Sequence, residues 1–217
     1  MDWGALKLSL LLALACVAVL LPTGLLLMRR LAASRHRSKP WLEAAMALPL
    51  VLPPTVLGFY LLVAFGALQP TWTAWFGHGL AFSFEGLLVA SVLANIPFAW
   101  LPLQRAFEAI PTELVDAART CGLSPWQRLW RLELPLAWPG VASSAVMTFA
   151  HTLGEFGVVL MVGGNLPGET RTLSIALYDR VQAFDLQAAG QMAALLLLLA
   201  LATGVLSAWL NRRRAHA

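Results

Sequence analysis

Five side chains able to do chemistry recur at helical spacing in one apolar stretch. Ser144, Thr148, His151, Thr152 and Glu155 stand at offsets 0, 4, 7, 8 and 11, which places them on a single helix face. His151 lies one turn from Glu155 and is placed to pair with it. An ionisable group facing lipid costs roughly 2.5–3.5 kcal/mol or more, so this stripe must face protein or water. Two readings follow. Thr148, His151, Thr152 and Glu155 line a translocation path or a seam between subunits, or the stripe hydrogen-bonds neighbouring helices within one subunit. A fixed carboxylate at Glu155 repels an anion in a low dielectric, so an anionic cargo would be captured elsewhere. Enzyme chemistry finds no support. The chain lacks a Gly-x-x-x-x-Gly-Lys-Ser/Thr phosphate loop. Its two cysteines and four histidines (His36, His78, His151, His216) have no metal-ligand spacing. No cofactor or metal is expected.

The elements that must hold this stripe are evident from composition. The 217 residues are 59% hydrophobic and only 12% charged, with a mean hydropathy of +0.72. A soluble domain carries about 25% charged residues, so an ordinary cytosolic enzyme is excluded. Five stretches reach the roughly 20 apolar residues that cross a bilayer as helix. They are Leu8–Met28, Ala44–Gly66, Gly86–Gln104, Leu134–Gly154 and Ala188–Leu210, and none contains Asp, Glu, Lys or Arg. The fourth apolar run resumes beyond Glu155 to about residue 162. The expected fold class is all-α integral membrane with five transmembrane helices in a single domain over residues 1–217.

Basic residues orient the spans. Arg29, Arg30, Arg35, Arg37 and Lys39 follow span one; Arg105, Arg119, Arg128 and Arg131 follow span three; Arg212, Arg213 and Arg214 close the chain. These segments share one side, cytoplasmic by the positive-inside rule, so the N-terminus is outside and the C-terminus inside. Lys7, Arg171 and Arg180 remain outside. Because the basic cluster follows span one, that span reads as a retained anchor and not as a signal peptide. The basic balance is thus a topology signal and implies no nucleic acid; the surrounding partner is membrane lipid. Arg171 and Arg180 either meet a docking protein or are solvated loop charges.

Prolines 49, 53 and 54 sit in the first half of span two, where each removes a backbone donor and crowds the preceding turn. The helix is expected to kink or break there, either along a substrate route or as a packing kink. The segment 69–79, with Trp72, Trp75 and Phe76, is expected to be an aromatic loop at the outer interface.

The connection over 105–135 reads as two short helices around a glycine corner. Thr112 is expected to cap the first helix, with Glu113 and Asp116 near its positive end. Gly122 suits the left-handed closing residue. Ser124, Pro125 and Gln127 form a capping box with proline at the first helical position. The second helix is expected to stop before Pro135. Such a unit is a rigid knob that a cytoplasmic partner can grip.

Asp116-Ala117-Ala118, three residues, Gly122, nine residues, then Leu132-x-Leu134-Pro135 resembles the EAA loop of type I ABC importer permeases. The departures are Asp for Glu at 116 and Leu for Ile at 132. The run Leu48–Phe59, Leu153-Gly154-Glu155-Phe156-Gly157 and the segment 164–173 are similar to patterns of the molybdate and sulfate permease group. The resemblance spans about residues 8–210. It implies a type I ABC importer permease fold with cytoplasmic coupling helices in a bacterial inner membrane. It also implies that Asp116, Ala117, Ala118, Gly122, Leu134 and Pro135 couple to a separate ATP-binding cassette ATPase, present in two copies on a permease homodimer. A periplasmic oxyanion-binding protein would deliver the cargo, with Arg171 and Arg180 as its docking residues. The short length favours molybdate; sulfate or tungstate is the alternative within the group, and an ATP-independent anion channel or carrier is the alternative outside it.

Overall fold

A computed structural model describes residues 1–212, and these residues are helical without a strand. Helix α1 (Trp3–Ala32) starts at Asp2, whose carboxylate accepts from the Ala5 N–H at 2.9 Å. Helices α2 (Lys39–Val51) and α3 (Pro54–Phe76) follow, then α4 (Phe84–Glu108), α5 (Thr112–Thr120) and α6 (Pro125–Arg128). A π-helical turn (Leu129–Glu133) leads into α7 (Leu134–Gly154), followed by α8 (Gly157–Gly163), α9 (Leu173–Gln182) and α10 (Leu186–Arg212). Arg213, Arg214 and His216 lie outside the described residues.

Four helices, α1, α3, α4 and α10, are long and apolar enough to cross a membrane. The candidate for a fifth crossing is a bent pair, Pro125–Gly154 with Gly157–Gly163, turned by 61° at Glu155 and Phe156. The five-helix expectation therefore stands, with its second span shifted. Leu52 and Pro53 are extended, at ψ 139 and 133, because neither consecutive proline donates and each restricts its predecessor. The expected stretch 44–66 is thus broken, and α3 carries the crossing. Its far end is also helical: Trp72, Trp75 and Phe76 belong to α3 and not to a loop, which ends at the left-handed Gly77. Trp72 stacks on Phe76 at 4.3 Å, a pairing one helical turn makes available.

Helices α1, α4 and α7 pack on one another as the centre of the subunit. Cys16, Leu20 and Ala99 form one buried cluster between α1 and α4. A methyl on Gly24 would lie 2.6 Å from Trp100 Cδ1, so only glycine allows this approach. The Trp100 indole N–H donates to Leu20 O at 3.1 Å across the same contact. Helix α10 packs on α7 and α9 and exposes Leu197, Leu198, Leu201, Val205 and Leu206, as a lipid-facing span should.

Candidate coupling and translocation site

The first helix of the knob between α4 and α7 lies on the surface: α5 buries none of its residues, although Val115 leans on the core. Asp116 and Arg119 pair on its surface at 2.8 Å. The cap differs from the Thr112 expectation. Pro111, at φ −56 and ψ 132, is the N-cap, and Thr112 is already helical, because the proline itself supplies the non-helical entry. At the other end Gly122 is left-handed (φ +79) and open around its Cα. The Leu123 N–H reaches Ala118 O at 3.1 Å, the bond pattern that seals a helix with a left-handed residue. Ser124 Oγ accepts from Gln127 N, and the Gln127 side chain accepts from Ser124 N at 2.9 Å. Both halves of the expected capping box are formed.

Pro135 does not stop the second helix. The π turn over Leu129–Glu133 carries the chain from α6 into α7, with the Leu134 N–H donating five residues back to Leu129 O. Widening the turn relieves the crowding that a proline imposes on an α-helix one turn earlier. The second helix of the knob and the membrane span are therefore one continuous rod.

Glu133, buried in that turn, escapes any reading from spacing. It accepts from Arg29 Nε, from Arg29 Nη2 at 3.1 Å and from Arg128 Nε at 2.7 Å. Arg29 Nη2 also donates to Pro125 O at 2.8 Å. One carboxylate thus ties the end of α1 to both sides of the π turn. A glutamate among basic loop residues was the available signal; its partner, 104 residues away, was not.

The stripe on α7 turns inward. Ser144, Thr148, Thr152 and Glu155 are buried, and His151 is half-buried. Ser144 Oγ donates to Ala99 O, and Thr152 Oγ1 donates to Thr148 O at 2.8 Å. His151 and Glu155 do not pair with each other. Asn95 of α4 stands between them, its Oδ1 3.0 Å from His151 Nδ1 and its Nδ2 donating to Glu155 Oε2 at 3.3 Å. His151 also stacks on Phe98 at 3.7 Å. Ser91 faces the same carboxyl, short of a formed hydrogen bond, and Cys16 lies beside Thr152. Glu155 ends α7, and its carbonyl accepts from Ser174 Oγ at 2.6 Å. The bend between α7 and α8 is thereby fastened to α4 and α9.

On the opposite side, Arg171 is engaged. Its Nε donates to Asn165 Oδ1 at 2.6 Å, and its guanidinium lies 3.6 Å from Asp179 and 4.0 Å from Asp2. Arg180 is exposed and pairs only loosely with Asp185 at 3.3 Å. Among the described residues no group of His, Cys, Asp and Glu could hold a metal ion.

The sequence pattern described as the binding-protein-dependent transport system inner membrane component matches residues 21–216, which includes the whole knob and the stripe. The chain belongs to this family. It is an inner-membrane permease. Among its relatives, the molybdenum transport system permease protein ModB of Azotobacter vinelandii is 47% identical over 187 residues, covering 85% of this chain and 83% of that one. ModB of Escherichia coli K12 is 34% identical over 215 residues, covering 97% and 94%. In fold, the permease is similar to a bacterial alginate ABC transporter solved in complex with an alginate pentasaccharide-bound periplasmic protein. The TM-score is 0.70 at 17% identity, over 96% of this chain and 76% of that one.

Proposed function

We propose that this permease is the membrane-spanning subunit of an ATP-driven importer of molybdate. Identity to two molybdenum permeases over most of the chain supports the cargo. The observation that carries the mechanism is the knob itself. It is rigidly cornered at Gly122 and Ser124, and it presents Leu114, Trp126 and Trp130 to solvent at 44%, 60% and 53% exposure. Exposed aromatics on a preformed surface are what a docking partner buries.

In this reading the N-terminus is outside and the C-terminus inside, as the placement of Lys and Arg favours. Two copies of the permease each offer a knob, containing Asp116, Ala117, Ala118 and Gly122, to one of two ATPase subunits. ATP binding draws those subunits together, and the knobs follow. Leu134 and Pro135 start the rod that passes this movement into α7. Hydrolysis on the partner resets the cycle. The permease itself carries no phosphate loop and performs no hydrolysis.

A separate periplasmic protein captures the oxyanion, since the apolar stretches within the spans hold no arginine or lysine to do so and Glu155 opposes an anion at close range. Exposed Arg180 is the docking cation, while Arg171 is held by Asn165, Asp179 and Asp2. Ser144, His151 and Glu155 hold α7 to α4, and Thr148, Thr152 and half-buried His151 stand on the face that lines the path or seam. Reconstitution in liposomes with the ATPase and the binding protein tests the proposal. Uptake of labelled molybdate should require ATP and both partners, and excess sulfate should compete weakly. Uptake by the permease alone, without ATP, would overturn it.

A further inference from the structure

At the foot of α1 a cleft of about 570 Å³ opens between the ends of α1 and α4 and the start of α5. Three carboxylates line it, and each is already answered. Glu133 is held by Arg29 and Arg128, Asp116 by Arg119, and Glu108 by Lys39 and Arg105. Two lining arginines are left over. Arg30 and Arg35 are exposed and have no carboxylate or hydrogen-bond partner among the described residues. Beside the paired charges, part of the wall is apolar, formed by Ala33, Phe107, Ile110 and Val115. A pocket with two free guanidinium groups and apolar walls suits a ligand that is anionic at one end and greasy at the other.

The surface of α1 shows where the greasy end would run. Val19, Thr23, Leu26, Leu27 and Arg30 fall at helical spacing on one face. Every one of them is exposed, Leu26 at 49% and Leu27 at 44%. An open hydrocarbon track thus descends α1 and ends at the unpaired Arg30. We propose that the α1–α4–α5 cleft is a binding site for the phosphodiester headgroup of an anionic phospholipid, held by Arg30 and Arg35 with one acyl chain along the Val19–Leu27 face. The juxtaposition favours lipid over a free oxyanion, because a free anion has no use for the track. The proposal rests on the inside placement of this end of α1, but its test does not involve transport.

The full chain is purified in detergent and its bound lipid followed by native mass spectrometry. Phosphatidylglycerol and phosphatidylcholine with matched acyl chains are supplied in turn. The wild type should retain phosphatidylglycerol roughly tenfold better, given the attraction of two basic side chains near a surface. The double variant Arg30→Gln, Arg35→Gln should lose that preference while keeping its helical circular dichroism. Arg37→Gln, outside the cleft, should keep the preference. Ala33→Phe, which fills the cleft without changing charge, should weaken retention as well. Equal retention of the two lipids by the wild type, or an unchanged preference in the double variant, overturns the proposal. So does displacement of the lipid by millimolar inorganic phosphate, which would make the cleft a site for free anions.

Discussion

Arg29 and Glu133 stand 104 residues apart and meet through two hydrogen bonds, the Nη2 contact being 3.1 Å. Glu133 is nearly buried, at 7% side-chain exposure, and Arg29 is 20% exposed. A carboxylate shielded to this degree and shared with Arg128 holds α1 and the π turn in one fixed relation. Removing Glu133 leaves two arginines without their carboxylate, and removing Arg29 leaves the shielded Glu133 with Arg128 alone; either loss costs more than that of a surface pair. A double-mutant cycle on Arg29→Ala and Glu133→Ala, read by thermal unfolding in detergent, should give a coupling energy of roughly 1.5–3 kcal/mol. A coupling near zero would mean that the two side chains contribute independently.

Gly122 has no atom near an added Cβ, so its requirement lies in the backbone alone. Gly122→Val should still insert in the membrane, but it forces a β-branched residue to φ +79 and should displace the corner, at about 1–2 kcal/mol or more. Asn tolerates that conformation far better. Co-purification with the ATPase should therefore be lost in Gly122→Val and largely kept in Gly122→Asn. Equal behaviour of the two variants would contradict a backbone-set corner.

Asn95 is the shared partner of His151 and Glu155. Asn95→Ala strips both and should destabilise by roughly 1–3 kcal/mol, seen as a lower melting temperature in detergent. Glu155→Gln keeps the shape and an acceptor oxygen, so the assembled permease should elute unchanged on size-exclusion chromatography. Dissociation of that variant would show that the carboxylate charge itself holds the assembly.

The two cysteines report orientation without mutagenesis. Cys121 is exposed in the knob, while Cys16 is fully buried in α1. A membrane-impermeant maleimide should label Cys121 in inside-out vesicles and leave right-side-out vesicles unlabelled. The reverse pattern would invert the proposed topology.

Much of the architecture was legible because charges avoid lipid: the apolar runs located the helices to within a few residues at most ends. Ser124 and Gly122 were equally readable, since capping and left-handed closure act between residues two to five apart. The failures have a common cause. Pro135 reads as a stop only if the helix before it is α, and nothing local signals a π turn. Thr112 reads as a cap only if the preceding proline is ignored. Asn95 and Glu133 have polar neighbours along the chain in Ser91 and Arg128, but their meaning lies in partners on distant helices. The expected His151–Glu155 pair was reasonable for an isolated helix. It lost to Asn95, which α4 inserts between them.

The π turn also sets an angular offset. One residue of an α-helix corresponds to about 100° of rotation, so the wider turn re-phases everything on its cytoplasmic side against everything above it. Shortening the segment Leu129–Glu133 by a single residue would swing Trp126 and the rest of the grip about a quarter of the way round the rod while leaving the membrane half untouched. In the proposed docking, the bearing at which the ATPase would take hold is thus set by the length of these five residues.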